Sequence, residues 1–420
     1  MIEIYKPKNE LVFYVPNDIY IKDSKYNWYY LILNEIYCRR KWLYNKYKDD
    51  PDSLYHEGWV SLNSTKLQRL YTRYYILIKD LIKWKIIEVL ESYKVGVYSK
   101  NYRINPEHLV KDKNNRVYRK VIIKDLKILK KVNKNKFTYY VNSNHYSIML
   151  NALENVNIRE DDARLELEEL FNSGLLSIEA FNILNGSIDA LINKELYFKI
   201  DSYGRLHTNI TTLKKCMRKH LYFNENFDIA LVNVDIVNCQ PFLLSLLFNK
   251  EFLNHISDIF EIDGKKILNS RIINQLNSFK DIEYINLVSS GKFYECIMEK
   301  TGLSREDIKR NVYIMLFSKY VPEKIRKFFN NEMPDFLIFL DNLKNARNDI
   351  DNFLPKLLQK LESYLMIIKI SEYLIDNNFT DFVTIHDSIL VEDHNKQIIV
   401  NAIHNIFNEF NLQLPPLNIE

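Results

Sequence analysis

Residues 383–390 read VTIHDSIL. Val383, Thr384 and Ile385 suit one buried strand, and Ile389, Leu390 and Val391 another, with His386, Asp387 and Ser388 between them. Two short apolar runs this close predict an antiparallel hairpin with Asp387 at its corner. Aspartate is ordinary in turns, so the corner alone does not imply chemistry. A second acid changes the question. In LVNVDIVNCQPFLLSLLF, 231–248, Leu231, Val232 and Val234 predict a buried strand running into Asp235. Pro241 then opens an apolar helical run, as proline does in a helix's first turn. Such an aspartate also serves as a helix cap. Two strand-end carboxylates brought together, however, repel each other unless cations lie between them. A pair of this kind suits two magnesium ions about 3.5–4 Å apart. Magnesium takes oxygen ligands and keeps some of its water, so few carboxylates are needed.

The 420 residues leave room for two or three domains. At 47% hydrophobic and 27% charged the chain is globular rather than disordered. A net charge of +4 permits nucleic-acid contact without arguing for it. Cys38, Cys216, Cys239 and Cys296 form no CxxC pair, which speaks against a zinc site or disulfide framework and fits a reducing cytoplasm. The opening MIEIYKPKNE lacks the form of a signal peptide. No run of 18 apolar residues predicts a membrane span. A cytoplasmic location without a membrane partner is therefore expected.

Within 59–104, Asn63 and Ser64 suit a helix cap, and Leu67, Leu70, Tyr74, Ile78 and Leu81 recur at helical spacing. A β-like run at Ile86, Ile87 and Val89, a turn around Gly96 and a second run ending at Tyr102 and Ile104 follow. Helix, helix, strand, turn, strand is the order of a winged helix, with Arg73, Lys79 and Lys83 on the second helix. A small packing module with solvated lysines reads the same residues. Residues 111–136 are strongly basic, but Val117, Val121, Ile122, Ile123, Leu126 and Leu129 interleave with the charges, so an ordered surface is expected. Such a surface suits a phosphate backbone. Residues 146–195 read as helices, and Pro415 and Pro416 as a closing loop.

A phosphoryl-transfer site also needs positive charge for the triphosphate. In SREDIKRNVYIMLFSKY, 304–320, Ser304 suits an N-cap, and Arg305, Lys309, Tyr313 and Phe317 recur every fourth residue. That spacing draws one slowly drifting stripe along a helix. Two cations followed by two aromatics could grip phosphates and a base; an amphipathic helix with its aromatics in the core would look the same. In KIDSYGRLHT, 199–208, one of only 8 glycines, Gly204, precedes Arg205.

Taken in order, these four segments resemble the palm and fingers of family A DNA polymerases and the related single-subunit phage-type RNA polymerases. The resemblance covers about 200–390. YGRLHTNITTLKK is similar to the family's TGRLSS…PNLQN segment, VDIVNCQP to motif A, and IHDS to motif C; REDIKRNVYIMLF keeps the motif B pattern R-x3-K-x3-[FY]-x3-[YF]. The resemblance implies an α+β right-hand polymerase with an antiparallel palm sheet, helical fingers and thumb. A winged-helix-like, basic nucleic-acid-binding region (1–140) and a helical thumb-like segment (141–195) would precede the palm (196–420), with fingers inserted at about 249–330. Asp235, Asp387 and Lys309 would be catalytic. Asp235, Asp387 and the Ile236 carbonyl would hold two Mg2+ ions, with Mn2+ as a substitute. Arg305, Lys309, Tyr313, Phe317 and Gln240 would bind the nucleotide, and Arg205, His386 and Gln359 the primer–template. The implied partners are DNA template and primer, nucleoside triphosphates and replication proteins.

The implied function is template-dependent DNA synthesis by a minimal enzyme without a proofreading exonuclease, in the setting of a phage or mobile element. The T-x-L continuation after Arg205 favours DNA over RNA synthesis. The departures bear on which sugar is used. Gln240 stands where the DNA polymerases usually have Glu, and Ser388 follows Asp387, as in the RNA polymerases. Asp201 lies three residues before Gly204, also as in the RNA polymerases, and Phe317-Ser318 replaces Tyr-Gly. A primase or single-subunit RNA polymerase using NTPs is the alternative. A non-catalytic replication-initiation protein is a third reading.

Overall fold

The computed structural model describes the chain except for residues 1, 4–9, 24, 48–56, 63, 91–99, 136–139, 142–143, 202, 258, 263–264, 280–281, 348–349 and 351. The cap expected at Asn63 and the turn expected at Gly96 lie outside the described residues. Contacts group the chain into two units: residues 1–142 with 164–186, and residues 143–163 with 187–420. Among the described residues no helix is long and apolar enough to cross a membrane.

The first unit has its own core, including Phe13, Val15, Leu33, Ile36, Leu77, Leu81 and Ile128. The helices Ser64–Leu70 and Tyr74–Lys83 bury Leu67, Leu70, Leu77, Ile78 and Leu81, close to the apolar stripe read from sequence. The strands Ile87–Leu90 and Asn101–Ile104 follow them. Asn101–Ile104 also pairs with Val60–Ser61, so it is the middle strand of three. Residues 111–135 of the basic stretch are ordered. Tyr118–Ile123 pairs antiparallel with Leu11–Pro16. The Leu126–Asn135 helix then begins where Asp125 Oδ1 accepts from the Lys127 amide at 2.8 Å. Its Ile128 and Leu129 are buried, whereas Lys120, Lys124, Lys127 and Lys130 are exposed.

The stretch 141–195 is shared between the units. Glu179 pairs with Arg40 at 2.7 Å, and Asn182 Oδ1 accepts from the Val117 amide at 3.1 Å, which fastens 164–186 to the first unit. Val156–Ile158 is instead a strand of the second unit, paired with Leu221–Phe223. The helical reading of 146–195 missed it because three residues carry too little alternation to announce a strand.

The second unit is built on a four-stranded antiparallel sheet in the order Val383–Ile385, Ser388–Glu392, Leu231–Ile236, Leu417–Ile419. The last strand was not expected. Pro415 and Pro416 close a loop as predicted, but the loop delivers 417–419 to the free edge of Leu231–Ile236, and Pro416 accepts from the Val237 amide at 2.8 Å. Between the acid-bearing strands the chain is almost wholly helical, from Cys239–Leu246 to Ile370–Asp376. Aromatic side chains fill that core. Tyr284, Phe329 and Phe336 stack at 4.4 and 4.8 Å, and the buried Tyr284 hydroxyl donates to the Pro241 carbonyl at 2.8 Å. A buried phenol needs such a partner. The Phe353–Glu362 helix passes into a π-helical stretch, Ser363–Lys369, and then into Ile370–Asp376. π-turns inside α-helices are rare and often lie at functional sites.

Candidate active site

Strand register brings the two acids together. Asp235 is the fifth residue of its strand and lies opposite Ser388, the residue after Asp387. The corner itself is His386-Asp387, with Ile385 paired to Ser388. Ser388 therefore begins the second strand instead of belonging to the turn. Its buried hydroxyl donates to the Ile385 carbonyl at 3.0 Å, closing the corner. His386 turns the chain at φ +55°, a region that costs a residue with a side chain about 1–2 kcal/mol. The Ile236 amide reaches the Asp387 carbonyl at 3.4 Å, while the Ile236 side chain is buried in the core.

Both carboxyls are difficult to ionise. Burial, and then the charge of Asp387, push Asp235 up to about 7; Lys309 opposes the rise. Burial also raises Asp387, against a bond from its own backbone, the charges of Lys309 and Arg205, and the Cys239 thiol. Two half-buried carboxyls this close titrate as a pair and retain a proton unless positive charge joins them. Asp235 Oδ1 is buried without a hydrogen-bond partner. Paired oxygen donors with one orphaned oxygen fit a hard cation. Among the described residues no cluster of three or more His, Cys, Asp or Glu could hold a metal alone. A cation here would complete its shell with water and substrate oxygens, as magnesium does.

The predicted Arg205 segment is a hairpin of Phe198–Ile200 and Leu206–Thr208. Asp201 organises its corner. Oδ1 accepts from the Tyr203 and Arg205 amides at 2.9 and 3.0 Å, and Oδ2 meets His207 Nε2 at 3.0 Å. Burial works to raise Asp201, but His207 and the two amides outweigh it and hold the carboxyl below its usual range. Gly204 has φ +86°, and a Cβ there would stand 3.3 Å from Ser363 Cβ. The corner therefore sits close on the helix that follows Glu362. Arg205 donates from Nε and Nη2 to Glu362 Oε1 and Oε2 at 2.9 and 2.8 Å, and Gln240 Nε2 also donates to Glu362 Oε2.

His386 lies edge-on to His207, ring centres 5.9 Å apart. Burial, then Arg205, His207 and Arg218, push His386 down to about 4, so it is neutral at pH 7. Its Nδ1 is buried without a partner. Gln359 is half-buried, one helical turn before Glu362.

The Arg305–Phe317 helix starts at Ser304, whose hydroxyl accepts from the Asp307 amide at 3.1 Å. It buries Ile308, Val312, Met315 and Leu316, leaving Arg305 and Lys309 exposed and Tyr313 and Phe317 half-buried. The stripe is thus separate from the core side. Arg305 Nε pairs with Glu295 at 3.1 Å, and its guanidinium lies 5.7 Å from the Tyr294 ring centre. Tyr313 packs against Phe317 at 5.4 Å. Burial raises the Tyr313 and Tyr294 hydroxyls, with the negative charge of Asp387 adding to both. Phe317 also lines a separate recess with Ser318, Lys344 and Asn352.

Asp235, Asp387, Lys309, Arg205, Gln240 and Tyr313 thus gather around one centre, together with three residues the sequence reading did not select: Cys239, Tyr294 and Glu362. Cys239 was noted only as unpaired. Glu362 is a lone acid at a position the leucine periodicity of LLQKLESYLM would bury, which was its one signal.

No family model matches the chain. A stretch of 139 residues is 32% identical to the Ribosomal RNA small subunit methyltransferase H of Finegoldia magna, covering 31% of this chain and 43% of that protein. The chain thus spans less than half the length of that relative. Among solved structures, the POL domain of Pol1 from M. smegmatis, in complex with DNA primer-template and dNTP, is similar over 60% of this chain and 54% of its own, with 14% identity and a TM-score of 0.27. A score that low does not define a shared fold.

Proposed function

We propose that the second unit is a template-dependent nucleotidyl transferase, a minimal right-hand DNA polymerase, and that the first unit contributes a winged-helix-like, basic surface for nucleic acid. One observation carries this reading. Asp235 and Asp387 meet at adjoining strand ends, both raised by burial, with an orphaned Asp235 oxygen and Lys309 as the shared counter-charge. Bound there, two magnesium ions would activate the attacking hydroxyl and stabilise the charge of the leaving pyrophosphate.

In the reaction, the primer 3′-oxygen attacks the α-phosphorus, its proton passes to water, and the bond from the α-phosphorus to the bridging oxygen breaks, that oxygen leaving with pyrophosphate. Lys309 offsets triphosphate charge near the carboxylates. Arg305 does the same once it leaves Glu295. Tyr313, beside Phe317, offers a ring to the incoming nucleotide. Arg205, His386 and Gln359 contact the primer–template, His386 as a neutral ring. In the first unit, the order of helices and strands and the exposed lysines of 120–130 support backbone contacts without base readout.

A second reading, RNA synthesis from NTPs, draws on Ser388 and Asp201. Ser388 already has a local duty, since its hydroxyl closes the hairpin corner. DNA synthesis therefore stays first. Primer extension on a DNA template with Mg2+, using dNTPs or NTPs, separates the two; strong unprimed NTP use reverses the order. Asp387→Ala abolishes incorporation if the reading is right. Unchanged incorporation would leave a replication-initiation protein without polymerase chemistry.

A further inference from the structure

Glu362 is only 1% exposed. A buried carboxylate is costly, and a well-packed apolar residue of similar size is usually no less stable. The bonds it makes say what it does. Arg205 meets it with two parallel N–H donors, a fork that fixes the guanidinium plane as well as its position. The Arg205 backbone is fixed independently by Asp201, and the Gly204 corner lies against Ser363, the first residue of the π-helical stretch. Backbone and side chain of the hairpin thus register on the same turn.

Glu362 also sets Gln240. The Gln240 amide turns its Nε2 toward the carboxyl and donates to Oε2, the oxygen that also accepts from Arg205 Nη2. Oε1 is then the end left over, and it is buried without a partner. Gln240 lies in the first turn of the Cys239–Leu246 helix, directly after the Asp235 strand. An unpartnered buried acceptor is expensive to maintain unless a donor arrives.

We propose that Glu362 is a positioning residue: it locks the Arg205 hairpin to the helix after Asp235 and orients Gln240 so that Oε1 accepts a hydrogen bond from a hydroxyl of the bound substrate. The inference rests on the nucleotidyl-transfer reading and names how that site is held. It assigns the Glu362 carboxylate no contact with the reacting atoms.

The test uses the full chain in primer extension, with turnover and nucleotide KM measured per folded molecule. Wild-type incorporation and its loss in Asp387→Ala establish the reading first; an inactive wild type ends both. Glu362→Gln retains size but gives Gln240 a donor to face, so its amide turns and Oε1 is consumed. Turnover is expected to fall about 10- to 100-fold, with a melting temperature equal to or above wild type. The exchanged pair, Gln240→Glu with Glu362→Gln, again presents an acceptor and recovers at least fivefold over Glu362→Gln. Arg205→Lys, which lacks the fork, gives a loss of similar size, and combining it with Glu362→Gln costs little more than the worse single change. Wild-type turnover in Glu362→Gln, no recovery in the exchanged pair, or multiplying losses in the combined variant overturns the proposal. Should Glu362→Gln not fold, Arg205→Lys and the exchanged pair carry the test: wild-type turnover in Arg205→Lys, or a folded but inactive exchanged pair, overturns it.

Discussion

The acidic and basic sides of the candidate site are built on opposite principles. Asp235 and Asp387 belong to a hydrogen-bonded sheet, where register holds them together and burial raises both. Arg305 and Lys309 stand exposed on one face of a helix. Strand ends hold short side chains in place before anything binds. Long cationic side chains on an exposed helix face have more rotamer freedom to lose on binding, although Glu295 already holds Arg305. On the proposed reading, the acidic side would carry the chemistry at a cost in stability, and the basic side the affinity.

That contrast can be broken most decisively at the acids. Asp235→Asn and Asp387→Asn should each reduce incorporation by about 10³-fold or more, while raising stability by about 1–3 kcal/mol through relief of like-charge repulsion and desolvation. Denaturant melts beside primer-extension rates check both halves. Lower stability in the Asn variants would make the acids structural.

The next effect is a pH dependence of stability. Glu362 and Asp235 are both pushed up to about 7, Glu362 by burial against the pull of Arg205. A folded-state value above the unfolded one means the native state holds its proton longer. Stability is then fully present below the unfolded values and falls as pH rises toward 7, by roughly 3 kcal/mol for Glu362, with the Asp235–Asp387 pair adding a fall of the same sign. Melting temperatures at pH 5 and pH 7.5 without divalent ions should show the fall, and Glu362→Gln should remove part of it.

On the basic side, Lys309→Ala should cost about 10- to 100-fold in kcat/KM. Arg305→Ala should cost less, about 3- to 10-fold, because Glu295 already occupies its guanidinium. Equal losses would show that the exposed face is as organised as the sheet. The smallest effect is a binding one. Millimolar Mg2+ should stabilise the wild type by on the order of 1 kcal/mol, a shift of about 2–4 °C, and leave Asp235→Asn unshifted. Scanning fluorimetry at pH 8 reads it directly.

What was legible in the sequence was local. A strand ending in Asp235, a hairpin around Asp387 and a four-residue stripe of Arg305, Lys309, Tyr313 and Phe317 each lie within about 18 residues, so periodicity alone describes them. The strands Val156–Ile158 and Leu417–Ile419 were illegible, because three residues gain strand character only from a distant partner, Leu221–Phe223 in one case and Leu231–Ile236 in the other. Ser388 was read as part of the turn because its hydroxyl looks polar in sequence; in the hairpin that hydroxyl is satisfied by Ile385 and buried.

By itself, then, the order of residues determined which side chains carry charge at strand ends and along a helix face, since backbone period sets those directions. Only the tertiary structure decided that Asp235 lies beside Asp387, that Glu362 is buried on Arg205 and Gln240, and that Arg305 rests on Glu295. Those outcomes depend on which surfaces lose water together. Desolvation is a property of packed neighbours, and no single segment contains it.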